Sequence, residues 1–407
     1  GGRHASGLGG IRMDDLRTPG TGCVPEVCFV HPALNDTGFV LEIALRKIVV
    51  AAIVFFIPFF AVFNFIMNHF YVHGAYMFDS GLFSYIMWRN SAWLSLPPLV
   101  GGHSYYMTHA SPLLAIVSLP TYFLNWHHPV FFSAWQGVIY GILALAAFVP
   151  LTAGLRNEWR LLLLAGGVSL AFALGGISLP TIAYPHFEPV IAALALFFFY
   201  YWYSDRRLLA AVFFVLTLLA REDAGFHLTA VLAVVVVFRW WDGRPLRAQK
   251  ADIGITLIAF LASLAALAVQ STFFPGDTAI RRVYFGEDFY AHLTPELLAA
   301  RVRNFVFNRL EIFLPMVISL LVAIYARNKY AFVGFLAYFP WLALHLTARA
   351  DAPGDLFAYY AYPFLISVAW PAIGLRLGNG SARLEARHLL IPICAALVVS
   401  PSAMTSA

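Results

Sequence analysis

The chain has 407 residues, 61% of them hydrophobic and 12% charged, with 37 Phe, 19 Tyr and 10 Trp. Soluble domains carry about 25% charged residues, so this composition leaves little soluble mass and indicates a polytopic helical membrane protein. The formal net charge of +5 comes from basic residues scattered along loop positions, which argues against a nucleic-acid partner, and three cysteines make no disulfide framework.

Residues 1–46 carry Gly, Pro, Arg and Asp without helical periodicity and are expected to form a mobile cytosolic tail ahead of a transmembrane domain over 47–407. No charged region leads directly into a short apolar core and cleavage site, so no cleavable signal peptide is expected. Cys23 and Cys28 have no nearby His pair and are read as free thiols. Arg46 and Lys47 precede the first apolar run, 48–67. A first outer loop follows over 68–128, too polar for a helix pair in lipid. Its apolar part, 113–124, is short enough for an interfacial or re-entrant helix. Ten further spans are expected at 129–152, 160–178, 189–203, 207–220, 224–239, 252–274, 306–326, 329–348, 358–376 and 388–405, making about eleven in an all-α fold. Several are short and must tilt, thin the bilayer or sit against a cavity.

A cytoplasmic N-terminus puts most of the 26 Lys and Arg residues in inner loops, as the positive-inside rule requires. The polar clusters then fall on the outer face. They are Asp79, His109, the turn Tyr184-Pro185-His186-Phe187-Glu188-Pro189, the run Arg221-Glu222-Asp223-Ala224-Gly225-Phe226-His227, a second outer loop over 275–305, and 349–362.

Ionisable residues at or within a membrane cost several kcal/mol unless paired or wet, so each cluster is weighed as a site. Asp79 would serve as a helix cap, or as a general base or metal ligand. Two prolines bracket His186 and Glu188, and such broken backbone at membrane depth is tolerated where it is buried in protein or lines a cavity. Adjacent Glu222 and Asp223 point about 100° apart on a helix. One is expected to face the cavity and the other to pair with Arg221, with His227 one turn beyond Asp223. Arg281 and Arg282 are candidate phosphate contacts because the guanidinium fork matches phosphate oxygens, whereas Glu287 and Asp288 are assigned to a solvated loop. Tyr359, Tyr360 and Tyr362 precede Pro363 at a span start and read foremost as an aromatic belt. A divalent metal, if one is used, would draw on Asp79, His186, Glu188 and Asp223.

Over roughly residues 70–370 these motifs resemble a bacterial membrane-protein family catalogued as domain of unknown function 2079. Phe78-Asp79-Ser80-Gly81-Leu82-Phe83 is similar to its Asp-Leu-Gly-Ile-Phe segment, and His186 with Glu188 to its Phe-His-Pro-Glu turn. Arg221-Glu222-Asp223 is similar to its Lys-Glu-Asp, alongside His109 with Pro112 and Tyr360 with Pro363. The chain departs from that pattern at Thr108, where the family tends to have Asp, and at Arg221, where Lys is usual. That family in turn resembles the GT-C superfamily of glycosyltransferases. The resemblance implies transfer of a sugar from a polyprenyl-phosphate carrier to an acceptor on the outer face of a bacterial inner membrane. Within it, Asp79, Glu222 and Asp223 would be catalytic, and His109, His186, Glu188, Arg221, Arg281, Arg282 and Tyr360 would bind substrate. Membrane-protein partners would be compatible with it. The alternatives are a transporter or flippase, whose substrate path broken helices would also mark, and a non-catalytic accessory subunit on the same fold.

Overall fold

A computed structural model describes residues 37–71, 77–88, 93–124, 127–153, 158–275 and 281–377. The expected span at 388–405 and all three cysteines lie outside the described residues. The chain divides into Gly1–Ile43 and Ala44–Ala407, and the candidate site belongs to the second unit. Among the described residues the fold is all-helical, with one isolated β-bridge between Ser95 and Ser104.

The first helix, α1 (Thr37–His69), buries Val50, Val54, Pro58, Val62 and Ile66. That four-residue step is a single narrow stripe of a helix, while Ile53, Phe56, Ile57 and Phe60 stay exposed, as lipid-facing side chains would. The stripe packs on α5 (His128–Thr152). A Cβ on Gly137 would lie 2.6 Å from the Phe59 carbonyl oxygen, and one on Gly141 would lie 2.7 Å from the Phe55 ring. The pair forms the small-xxx-small spacing that lets membrane helices approach closely.

Between them lie α2 (Met77–Met87), 3-10 turns at Pro98–Val100 and Tyr105–Met107, and the short helices α3 (Pro112–Ser118) and α4 (Pro120–Phe123). The last two occupy the stretch expected to hold an interfacial helix. Next come α6 (Trp159–Leu174), α7 (Ser178–Ala183), α8 (Pro189–Tyr203), α9 (Arg207–Ala220), α10 (Ala224–Trp241) and α11 (Lys250–Phe273). Every residue from Pro189 to Phe199 is buried. A helix apolar all round belongs in the middle of a bundle, and α8 packs there against α5, α9 and the later helix Phe364–Ala369. Its N-terminus meets the turn between α9 and α10, so residues 184–188 and 221–223 arrive at one end of the bundle.

Four helices, Ala44–His69, His128–Thr152, Ala224–Trp241 and Leu246–Phe273, are long and apolar enough to cross a membrane. Two bent pairs raise the number to six: Pro295–Phe307 with Leu310–Tyr325, bent by 75°, and Asp351–Ala361 with Phe364–Gly374, bent by 51°. The other segments expected to span include α6, α8 and α9, apolar helices of 16, 15 and 14 residues, below the roughly 20 residues that a straight crossing needs.

Candidate functional site

Asp79 sits in the first turn of α2, where the helix dipole favours a carboxylate. Its side chain is 21% exposed, and Oδ1 lies 3.8 Å from His186 Nε2. Helix α7 and the 184–188 segment after it, which carries His186, are pinned from α5: Tyr140 Oη donates to Thr181 Oγ1 of α7 at 2.8 Å, and Gln136 Nε2 donates to the His186 carbonyl at 3.2 Å. The His186 ring stacks on Tyr359 with centroids 3.6 Å apart and meets the edge of Phe83. Its Nδ1 is 3.3 Å from Glu188 Oε2, an ion-pair distance without hydrogen-bond alignment. Burial works against a charge on His186, but Glu188 and Asp79 outweigh it and raise the imidazole pKa to about 9.

Glu188 immediately precedes α8, and its carboxylate is 2% exposed. Burial disfavours its charge, yet His186 and Arg221 together hold its pKa well below the ordinary glutamate value. Arg221 closes α9 and is the hub of the cluster. Its Nη1 donates to Glu188 Oε1 at 3.2 Å, Nε to Asp223 Oδ1 at 2.6 Å, and Nη2 both to Asp223 Oδ2 and to Tyr362 Oη, the last at 2.7 Å. Against the burial cost, that fork keeps the Asp223 carboxyl below its usual range. Tyr362 also hydrogen-bonds His227 Nε2 at 2.9 Å, and His227 lies 3.8 Å from Asp223, one turn along α10.

Glu222 turns the other way. Its Oε1 is 2.9 Å from His109 Nδ1, and its Oε2 accepts the Ala110 N–H at 2.8 Å. The adjacent carboxylates thus diverge, although they lie in the turn between α9 and α10 and not on a helix, with Asp223 the one paired to Arg221. Tyr105 joins the two halves: its ring packs against Phe83 and His109, and it lies within electrostatic reach of Glu188, Arg221, Glu222 and Asp223. Burial and those carboxylates raise the Tyr105 phenol well above its ordinary pKa.

Asp79, His186, Glu188, Arg221 and Asp223 therefore form one continuous chain of contacts, with His109 and Glu222 beside it. Tyr360 sits a layer back, stacked on Tyr359 at 4.5 Å. Arg282 is exposed on the turn Arg281–Phe285, and the side chain of Arg281 lies outside the described residues. Glu287 and Asp288 are exposed, in keeping with a solvated loop. The residues that sequence reasoning passed over are Tyr359, Tyr362, Gln136 and Tyr105. A tyrosine near a span end reads as a belt residue because the sequence does not say which way it points. The i, i+4 step from Asp223 to His227 was the one local sign that the cluster continues into α10.

Among the described residues, no three His, Cys, Asp or Glu side chains are arranged to hold a metal ion. Glu188 and Asp223 are turned toward the Arg221 guanidinium, which fills the place a cation would take. Asp79, His186, Glu188 and Asp223 do not fit a metal in this arrangement. Comparison of the chain with family models, curated proteins and solved structures finds no match in any of the three.

Proposed function

We propose that the chain is a GT-C-type membrane glycosyltransferase that moves a sugar from a polyprenyl-phosphate carrier to an acceptor hydroxyl. The observation that carries this reading is the position of Asp79. Asp79, 21% exposed, stands 3.8 Å from His186, beyond hydrogen-bond distance, whereas Glu188 and Asp223 are bonded by Arg221 and Glu222 by His109 and the Ala110 amide. A general base must reach the proton it takes and must not be spent on a structural ion pair. In the step envisaged, Asp79 takes the acceptor hydroxyl proton and the hydroxyl oxygen bonds to the anomeric carbon. The carbon–oxygen bond to the carrier phosphate breaks, and its electron pair leaves with the phosphate. His186 faces Asp79 and orients it; Glu188, Arg221 and Asp223 fix His186 and the helix ends in place.

The resemblance of the sequence motifs to those of the family of unknown function 2079, and the place of Asp79 early in the proposed first outer loop, support the same reading. We also place the chain in a bacterial inner membrane with its N-terminus cytoplasmic and the site on the outer face. In that topology the short helices α6, α8 and α9 are further crossings that bring the total toward eleven. One feature favours a second reading, transport or flipping of a polar or lipid-linked substrate. Short helices break at a charged junction, as they do at transporter binding sites.

Purified protein incubated with a polyprenyl-phosphate sugar and candidate hydroxyl acceptors separates the two. Glycosyl transfer should release polyprenyl phosphate with turnover. Movement of the intact lipid-linked sugar across proteoliposomes without release would support transport instead.

A further inference from the structure

The proposed donor carries a phosphate, so something in the site has to meet it. Arg221 is the obvious cation, but four of the five N–H groups of its guanidinium are taken by Asp223, Glu188 and Tyr362. Arg301 is buried and donates to the Ala348 carbonyl and Asp351. Arg309 is held by the Asp355 carbonyl and Glu311. The His186 ring is enclosed by Tyr359, Phe83, Asp79 and Glu188.

His109 is differently placed. It follows the 3-10 turn Tyr105–Met107, with its backbone N–H bonded to the Tyr105 carbonyl at 2.9 Å. Glu222 reaches it from 113 positions along the chain and takes both Nδ1 and the next backbone amide. Oε2 accepts the Ala110 N–H, and with Oε1 as acceptor Glu222 orients the tautomer that donates from Nδ1. A carboxylate fixed against Nδ1 orients the ring and stabilises the imidazolium that forms when Nε2 is protonated as well. The side chain is 25% exposed, so Nε2 is the ring nitrogen left to face a ligand. The carboxylates that would repel an anion are already engaged, Glu188 and Asp223 by Arg221 and Glu222 by the His109 ring and the Ala110 amide.

We infer that His109, oriented by Glu222, is the phosphate contact of the site, donating from Nε2 to the anionic head of a prenyl-phosphate lipid. His109 is then the binding residue and Glu222 a positioning residue. The inference rests on the lipid-phosphate reading above and assigns its anion to one nitrogen.

The test uses the purified full chain in detergent with farnesyl phosphate as probe, and farnesol and inorganic phosphate as competitors. Wild-type protein should bind farnesyl phosphate saturably, with farnesol at least about tenfold weaker. His109→Gln and Glu222→Gln should each weaken farnesyl phosphate about tenfold or more while leaving farnesol binding unchanged, and Asp288→Asn should match wild type. On wild-type protein labelled at histidine nitrogen, the His109 Nε2 resonance should move with farnesyl phosphate and not with farnesol, which needs no variant to fold. If both variants bind like wild type and the His109 resonance stays still, the assignment is overturned while the lipid-phosphate donor stands. Failure of wild type to bind farnesyl phosphate would overturn both. Equal competition by inorganic phosphate, with the His109 resonance moving, would support the anion contact and assign it to a free phosphate rather than a lipid head.

Discussion

At the residue scale, Arg221 decides whether the cluster is stable. Removing one partner of a buried, hydrogen-bonded ion pair leaves an uncompensated charge and costs roughly 3–5 kcal/mol. Arg221→Ala strands Glu188 and Asp223 together, so it should lower the thermal midpoint in detergent strongly. Arg221→Lys should recover only part of the loss, because an ammonium cannot reproduce the fork to Asp223. A midpoint for Arg221→Ala within about 1 °C of wild type would show that the network adds nothing to the fold. His186 gives the site a pH signature. Its folded pKa is raised to about 9 from an ordinary 6.5, so folding favours the protonated ring. That contribution is complete below about 6.5 and is lost as pH climbs through about 9. Glu188 runs in the opposite sense: its pKa is depressed, so its contribution is present above the ordinary carboxylate range and lost on acidification. Thermal midpoints measured from pH 6 to 10 should fall for wild type across that window, and His186→Gln should flatten the fall. An equally steep decline in the variant would place the titrating group elsewhere.

At the scale of elements, α1 approaches α5 closely at Gly137 and Gly141. A side chain at either glycine meets the Phe59 carbonyl or the Phe55 ring, and overpacking of this kind costs about 1–3 kcal/mol. Gly141→Val should therefore destabilise the protein and loosen α1. Gly254→Ala, where the added methyl would meet nothing within 4 Å, should be neutral or slightly stabilising by helix propensity. Comparable midpoints for the two variants would argue against tight packing at this crossing. Which stretches are helical was legible in the sequence, because uninterrupted apolar runs permit little else in lipid. The predicted 189–203 and 207–220 match α8 and α9, and 113–124 covers α3 and α4. The bends were not legible. The 75° break between Phe307 and Leu310 and the 51° break between Ala361 and Phe364 depend on packing against other helices, which composition does not encode.

At the scale of the whole molecule, the site exists because α8 is buried and its N-terminus meets the α9–α10 turn. Charged residues interrupting apolar runs pointed to His186, Glu188 and Arg221–Asp223, since such residues carry a desolvation cost that local sequence cannot offset. Tyr359 and Tyr362 were harder to see, because amphipathic tyrosines suit an interface and a polar cavity equally well. The proposed topology makes a direct prediction through the positive-inside rule. Engineered cysteines at positions 103 and 285 should react with an impermeant reagent from outside, and one at 245 only from the cytoplasm. Labelling of 245 and 285 from the same side would invert the orientation and move the site off the outer face.

The central claim is that Asp79 accepts the proton from an acceptor hydroxyl. Asn keeps the size of Asp and can still accept hydrogen bonds from amides at a helix start, but it cannot act as a base. Asp79→Asn should fold, insert and bind the lipid-linked donor like wild type while losing at least about a hundredfold in turnover with a polyprenyl-phosphate sugar. A purified Asp79→Asn protein that transfers sugar at close to the wild-type rate would contradict the account.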